Sequence, residues 1–408
     1  MKKILIIILF LLMIPIVKAD ELPRLNINGD LDFMSSKTDK REVTIELVDG
    51  KNSFKEKGTI KLQGASSLQY DKKNYNISFD KEIKTSLGSF KKYTLKANWV
   101  DELHIRNLLT AKVISEINEK YGLFEGTINY GLTDGFYVEV YNNNEYLGLY
   151  SMNIHKDYLF DTGDEEAIVI AVKNDIDQSY FRREETSKWE GFEVEEGEQN
   201  DENLDRLNRL IDFVNNSSDK EFKNNFSDYF DLDSALNYYS IMHVLELSDN
   251  VINNLYLVSY DGEHWYLAFY DLDISWGGGK YQNELLGFDN NLNKEVRSSR
   301  LWSRFEVLFS KEIKERYQEL RNDFLNEEKL KEHYYEYLDK IPKEALEREN
   351  EKWNNKLTYN TNYIDEFLEV RFKVIDNKID SLKGKVNYLL LIVVLLVMLI
   401  VILYKKKV

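Results

Sequence analysis

Cysteine is absent from this 408-residue chain. That excludes a disulfide framework and any thiolate metal site, so the fold must rest on its hydrophobic core. Histidine is scarce as well: the five residues His104, His155, His243, His264 and His333 form no zinc-binding spacing. Positive charge is in short supply. Lys and Arg number 54 against 71 Asp and Glu, a formal net charge of −17. Six of the lysines lie in the two end segments, which leaves the rest of the chain more acidic still. Such a surface repels nucleic acid and anionic lipid, so no nucleic-acid partner is expected; it suits basic partners or is simply well solvated. No internal repeat is visible.

What is there begins with the two ends. Met1-Lys2-Lys3, an apolar run Ile4–Val17 and then Lys18-Ala19 have the pattern of a secretory signal, expected over residues 1–19. A linker is expected over 20–40 and an ectodomain over 41–385. The apolar run Tyr388–Tyr404, flanked by Lys383 and Lys385 and by Lys405–Lys407, predicts a transmembrane helix over 386–404 with a tail at 405–408. The lysine cluster places that tail in the cytoplasm, giving a single-pass cell-membrane protein whose ectodomain faces outward.

Between those ends the chain reads as α+β. Strands are predicted at Val43–Val48, Gly58–Gln63, Tyr75–Phe79, Tyr93–Lys96, Phe136–Tyr141 and Glu145–Tyr150, interrupted by one helix at Leu103–Glu119. This strand-rich lobe runs to about 155. After about 200 the pattern turns helical: Asp201–Val214, Leu232–Leu247, then Ser298–Phe309, Lys311–Phe324, Glu327–Leu338, Lys343–Trp353 and Asn362–Leu382. The acidic stretch Glu184–Asn200 reads as a surface loop.

The richest segment is Ser248–Gly279. Leu255–Tyr260 and His264–Phe269 are β-branched and aromatic runs separated by Asp261-Gly262, a hairpin signal. Placing Tyr260 opposite Glu263 sets Asn254 opposite Phe269, with Asp271 just past the same end of the ladder. Neighbouring strands lie about 5 Å apart, so Asn254 and Asp271 can share one ion. An amide oxygen with carboxylates suits Mg²⁺ or Mn²⁺ carrying phosphates. Asp249, five residues before Asn254, then stands where a base would accept a proton from an attacking hydroxyl. Asp and Asn are also ordinary turn residues. What lifts the pattern above turn chemistry is Asp271-Leu272-Asp273 after an apolar strand and before Gly277-Gly278-Gly279.

A second segment complements it. Thr59–Gln63 leads into Gly64-Ala65-Ser66-Ser67, and Lys72-Lys73 open the next strand, an arrangement able to cover and neutralise phosphates, or equally a plain hairpin with solvated lysines. Ile60–Phe79, Asn98–Asn107, Tyr137–Tyr150, Asp249–Asn254 and Tyr270–Gly277, with Arg300-Leu301-Trp302, Glu344-Ala345, Trp353 and Arg371, resemble in order the motifs of the spore-coat CotH kinase family. The resemblance implies an atypical protein-kinase-like fold that transfers the γ-phosphoryl of ATP, with Mg²⁺ or Mn²⁺, to Ser or Thr of a surface or coat protein. It implies Asp249 as catalytic base and Asn254 and Asp271 as metal ligands, with Asp273 and Arg106 in support. Lys72 or its neighbour Lys73 would contact phosphate, and Gly64, Ser66 and Ser67 would form the covering turn. The chain departs from the family at Gln63, Ala65 and Asp71. A glutamate usual a few residues after Gly148-Leu149-Tyr150 is absent near Ile154, and Glu116 offers a substitute. Those departures support the alternative, a catalytically silent surface or coat-assembly protein on the same fold.

Overall fold

Alternation governs the first half of the chain. In β2 (Lys40–Val48, KREVTIELV) Val43, Ile45 and Leu47 are buried while their neighbours are not, the period-two signature of a strand with one face on a core. The computed structural model describes residues 21–32, 34–161, 166–173, 181, 189–278, 290–354 and 363–382. The expected signal segment and the expected transmembrane helix lie outside these residues. Among the described residues no helix is long and apolar enough to cross a membrane.

The chain divides into two units. The first takes the described parts of 1–111, 133–159 and 332–360. Its centre is a closed barrel of β1 (Arg24–Asn28), β2, β3 (Phe54–Gln63), β4 (Asn74–Thr85), β5 (Gly88–Lys96), β7 (Glu145–Ile154) and β6 (Gly135–Asn142), in that spatial order. The ladders are antiparallel except at the closure, where β1 runs parallel to β6. Inward residues such as Leu25, Ile45, Ile60, Ile77, Leu95 and Val140 fill it. The segment 20–40, expected as a linker, therefore contributes a barrel strand. Helix α1 (Arg106–Lys120) follows β5, and the unit boundary falls inside it.

The second unit takes the described parts of 112–132, 160–331 and 361–408. It holds a four-stranded antiparallel sheet ordered β11 (Tyr266–Phe269), β10 (Leu255–Ser259), β8 (Ile168–Val172), β9 (Phe192–Glu196). So part of the acidic stretch expected as a loop is strand β9, because Phe192 and Val194 alternate with glutamates. Its helices are α2 (Asp201–Asn216), α3 (Asp219–Tyr229), α4 (Leu232–Val244), α5 (Asn290–Ser298), α6 (Arg300–Leu308), α7 (Ser310–Asp323) and α10 (Tyr363–Ser381). Asn200, Ser218, Asp231 and Ser299 cap four of them by accepting from backbone N–H groups. Asp201 is the first residue of α2, as the pattern predicts, and follows the cap Asn200. Helix α8 (Glu327–Asp339) crosses the boundary, and α9 (Lys343–Trp353) belongs wholly to the first unit. The strand-then-helix order of the sequence thus holds, except that a late helix returns to the barrel, where α9 packs on β7.

Candidate active site

Helix α4 is buried from Ser234 to Val244 and delivers the chain to a short 3-10 turn, Asp249–Val251. Four hydrogen bonds from three side chains hold this turn. The Tyr238 hydroxyl donates to the carbonyl of Asn250 (2.7 Å), the Trp302 indole to that of Val251 (3.2 Å), and the Asn250 amide to those of Asn254 (3.2 Å) and Tyr270 (2.8 Å). At the exit of α4 the buried guanidinium of Arg371 donates to the carbonyls of His243 and Val244. These are C-terminal carbonyls that a cation suits. The next carbonyl, that of Leu245, accepts from Trp276 N (2.8 Å), which ties the loop after Asp271 to the helix that leads to Asp249.

The β10–β11 ribbon has a different register from the one expected. Leu255 pairs with Phe269 and Val258 with Tyr266, so Asn254 stands beside Tyr270, whose N–H donates to its carbonyl (3.0 Å). The turn is longer than two residues. Asp261 accepts from the N–H groups of Glu263 (2.9 Å) and His264 (2.8 Å) and from the Ser259 hydroxyl (3.1 Å), building a side-chain turn in place of the tight Asp-Gly hairpin. The correction moves Asn254 one position nearer to Asp271.

Asn254 and Asp271 both adopt left-handed backbone, with φ of 54° and 51°. Non-glycine residues adopt this only when their surroundings impose it, and such positions gather at functional sites. The Asn254 amide donates to Asp249 Oδ2 (2.8 Å), and the Asn253 amide reaches the same oxygen (3.2 Å). Partial burial and then the neighbouring Asp271 carboxylate raise the Asp249 pKa, partly offset by the Asn253 amide. Base, amide and first carboxylate are therefore gathered in one place, half-buried. With its nitrogen committed to Asp249, the Asn254 amide has its oxygen to offer a hard cation. Among the described residues no group of three or more His, Cys, Asp or Glu side chains could enclose a metal alone. One or two carboxylates with an amide oxygen fit Mg²⁺ that keeps phosphate or water as its other ligands.

In the first unit Lys72 is fully enclosed. Its ammonium donates to the carbonyls of Ala97 (3.0 Å) and Leu149 (2.5 Å) and to Glu349 Oε1 (2.6 Å), and lies 4.5 Å from the Tyr150 ring. All three of its donors are thereby engaged. Burial pulls its pKa down to about 8, against the opposing pull of Glu349. Glu349 Oε2 accepts from Leu149 N (2.7 Å), and His104 Nε2 lies 3.7 Å from Oε1. This carboxylate, from α9, is the lysine partner that the sequence did not reveal. Glu116 does not fill that role; it pairs with Lys112 and Lys329. Gly148 explains the glycine of the Gly-x-Tyr motif. At φ 144°, a Cβ there would lie 2.7 Å from Lys72 Cε and 2.9 Å from Glu349 Oε2.

Lys73 points elsewhere, donating to the carbonyls of Leu68 (2.9 Å) and Tyr70 at the end of the 3-10 turn Ser66–Gln69. Gly64 enters that turn at φ 107°, where a Cβ would collide with the Ser67 hydroxyl, which donates to the Gln63 carbonyl (3.3 Å). Of the two lysines, Lys73 is thus the one beside the Gly64–Ser67 turn. Arg106 pairs with buried Asp101 (2.8 Å), whose carboxylate also accepts from the N–H groups of Leu103 and Arg106. The Asn-x-x-Asp…Arg-Asn block is therefore a helix-entry cap.

With this geometry in view, the comparison with known families is direct. The model described as "CotH kinase protein" matches residues 60–375, most of the chain, and the protein belongs to that family. No curated protein matches it.

Proposed function

We propose that this protein is a metal-dependent phosphotransferase of the CotH type, with an atypical kinase-like fold, that moves the γ-phosphoryl of ATP to a Ser or Thr hydroxyl of a protein acceptor. The observation that carries the reading is the Asp249–Asn254–Asp271 cluster: a carboxylate with raised pKa, an amide turned by it, and a second carboxylate, the latter two on left-handed backbone. Asn254 Oδ1 and the Asp271 carboxylate would hold Mg²⁺ or Mn²⁺, with Asp273 in support; the ion would neutralise phosphate charge. Asp249 receives both amide donors on Oδ2, which would leave Oδ1 to take the proton of the acceptor hydroxyl. The Gly64–Ser67 turn and Lys73 would cover phosphate. In this reading residues 1–19 direct export and 386–404 anchor the chain with its ectodomain outward; membrane fractionation with protease accessibility tests that part.

The test is transfer from labelled ATP by the purified protein with Mn²⁺ or Mg²⁺, with and without Asp271→Ala. Metal-dependent label on Ser or Thr, abolished by the substitution, is expected. One observation favours a second reading, a silent binding protein: Lys72 has its three donors engaged within the protein. Wild type that neither transfers phosphate nor shows a nucleotide-induced thermal shift would support it.

A further inference from the structure

We propose that Asn250 is a positioning residue that fixes the spacing of the two metal-ligand residues, a role that rests on the phosphotransferase reading above. Asn250 follows the base in the chain and is fully buried. Its side-chain nitrogen donates both hydrogens to main-chain carbonyls: that of Asn254, at the foot of β10, and that of Tyr270, the residue before Asp271. One amide therefore bridges the two feet of the ribbon from the loop that carries Asp249. Its own carbonyl is held by Tyr238 (2.7 Å), whose ring stacks on Phe269 at 3.7 Å and on Trp302 at 5.4 Å. The clamp is thus seated on aromatic side chains that do not yield easily.

The need for a clamp follows from the backbone. Asn254 lies directly beyond the last rung of the ladder on one strand and Asp271 lies two residues past it on the other, and both are left-handed. A conformation of that kind costs on the order of 1–3 kcal/mol and persists only where its surroundings over-determine it. The Asn254–Tyr270 hydrogen bond supplies one constraint and the two Asn250 bonds supply two more. Neither near-isostere can substitute. Leucine lacks both donors, and aspartate would set a carboxylate against two carbonyl oxygens. The Asn250 oxygen is buried and finds no partner, so the amide is retained for what its nitrogen does.

The test measures Mn²⁺ binding by the full chain in the presence of ADP, reading free Mn²⁺ by electron paramagnetic resonance, for wild type, Asn250→Leu, Asn250→Asp and Tyr238→Phe. Melting curves identify which variants are folded. A tenfold or larger rise in the Mn²⁺ dissociation constant is expected for a folded Asn250 variant, with transfer partly restored at saturating metal. Tyr238→Phe, which frees the clamp from its seat, is expected to weaken binding several-fold, and it decides the matter if the Asn250 variants do not fold. Wild-type affinity in a folded Asn250 variant, or in Tyr238→Phe when neither Asn250 variant folds, overturns the clamp alone. A wild type that binds no Mn²⁺ with ADP overturns the metal-site reading and the clamp with it.

Discussion

Lys72 and Glu349 are separated by 277 positions in sequence and by 2.6 Å in space. Both side chains are fully enclosed, which sets what their substitution does. Removing one partner leaves an uncompensated buried charge, so Glu349→Ala is expected to destabilise the fold by about 3–5 kcal/mol in denaturant titrations. The double variant Lys72→Met/Glu349→Leu is expected to recover most of that, since a buried pair replaced by apolar groups of similar volume is near neutral. The pH dependence has a definite sign. Burial lowers the folded-state pKa of Lys72 to about 8, below its ordinary value, so above pH 8 the unfolded chain binds more protons than the folded one. Relative to the double variant, wild type should gain stability as pH rises from about 8 towards 10, by at most about 1.4 kcal/mol per pH unit. At Asp249 the expectation is chemical: Asp249→Asn keeps both amide contacts on the remaining oxygen but lowers transfer by about 10²–10⁴-fold, with nucleotide binding retained in thermal-shift titration.

At the scale of elements, the β6–β7 hairpin and α9 meet at Gly148. A methyl group there collides with the buried ion pair and occupies left-handed backbone, so Gly148→Ala is expected to lower stability by about 1–3 kcal/mol or more, measured by chemical denaturation. Much of the fold was legible at this scale. Six barrel strands follow from alternation, as in Val43, Ile45 and Leu47, and the late helices from their apolar stripes. Strand β1 was not legible, because five residues of Arg-Leu-Asn-Ile-Asn carry too short a pattern to stand out from a linker. The ribbon register was missed by one because Asp261-Gly262 signals a two-residue turn, whereas the Asp261 side chain captures two further N–H groups. The spacing of Asp249, Asn254 and Asp271 was visible because it is local. Glu349 and Asn250 were not identified, and Arg371 stood out only as part of the family resemblance, since their roles come from contacts that no spacing encodes.

For the molecule as a whole, barrel closure depends on a strand at its N-terminal side. β1 pairs with β2 on one edge and β6 on the other, so a chain beginning at Asp30 would present two open strand edges. Such a truncation is expected to melt at lower temperature and to associate on size-exclusion chromatography. The large acidic excess repels polyanions at long range, independently of the site chemistry. The second unit brings together two acidic side chains and one amide, and the family match spans the segment that contains them. The measurement that tests this most directly is a crystal structure of the protein with Mn²⁺ and a non-hydrolysable ATP analogue, located by anomalous scattering. An ion is expected about 2.0–2.3 Å from both Asn254 Oδ1 and an Asp271 carboxylate oxygen, with phosphate oxygens completing its shell. Bound nucleotide whose metal lies away from both residues would contradict it.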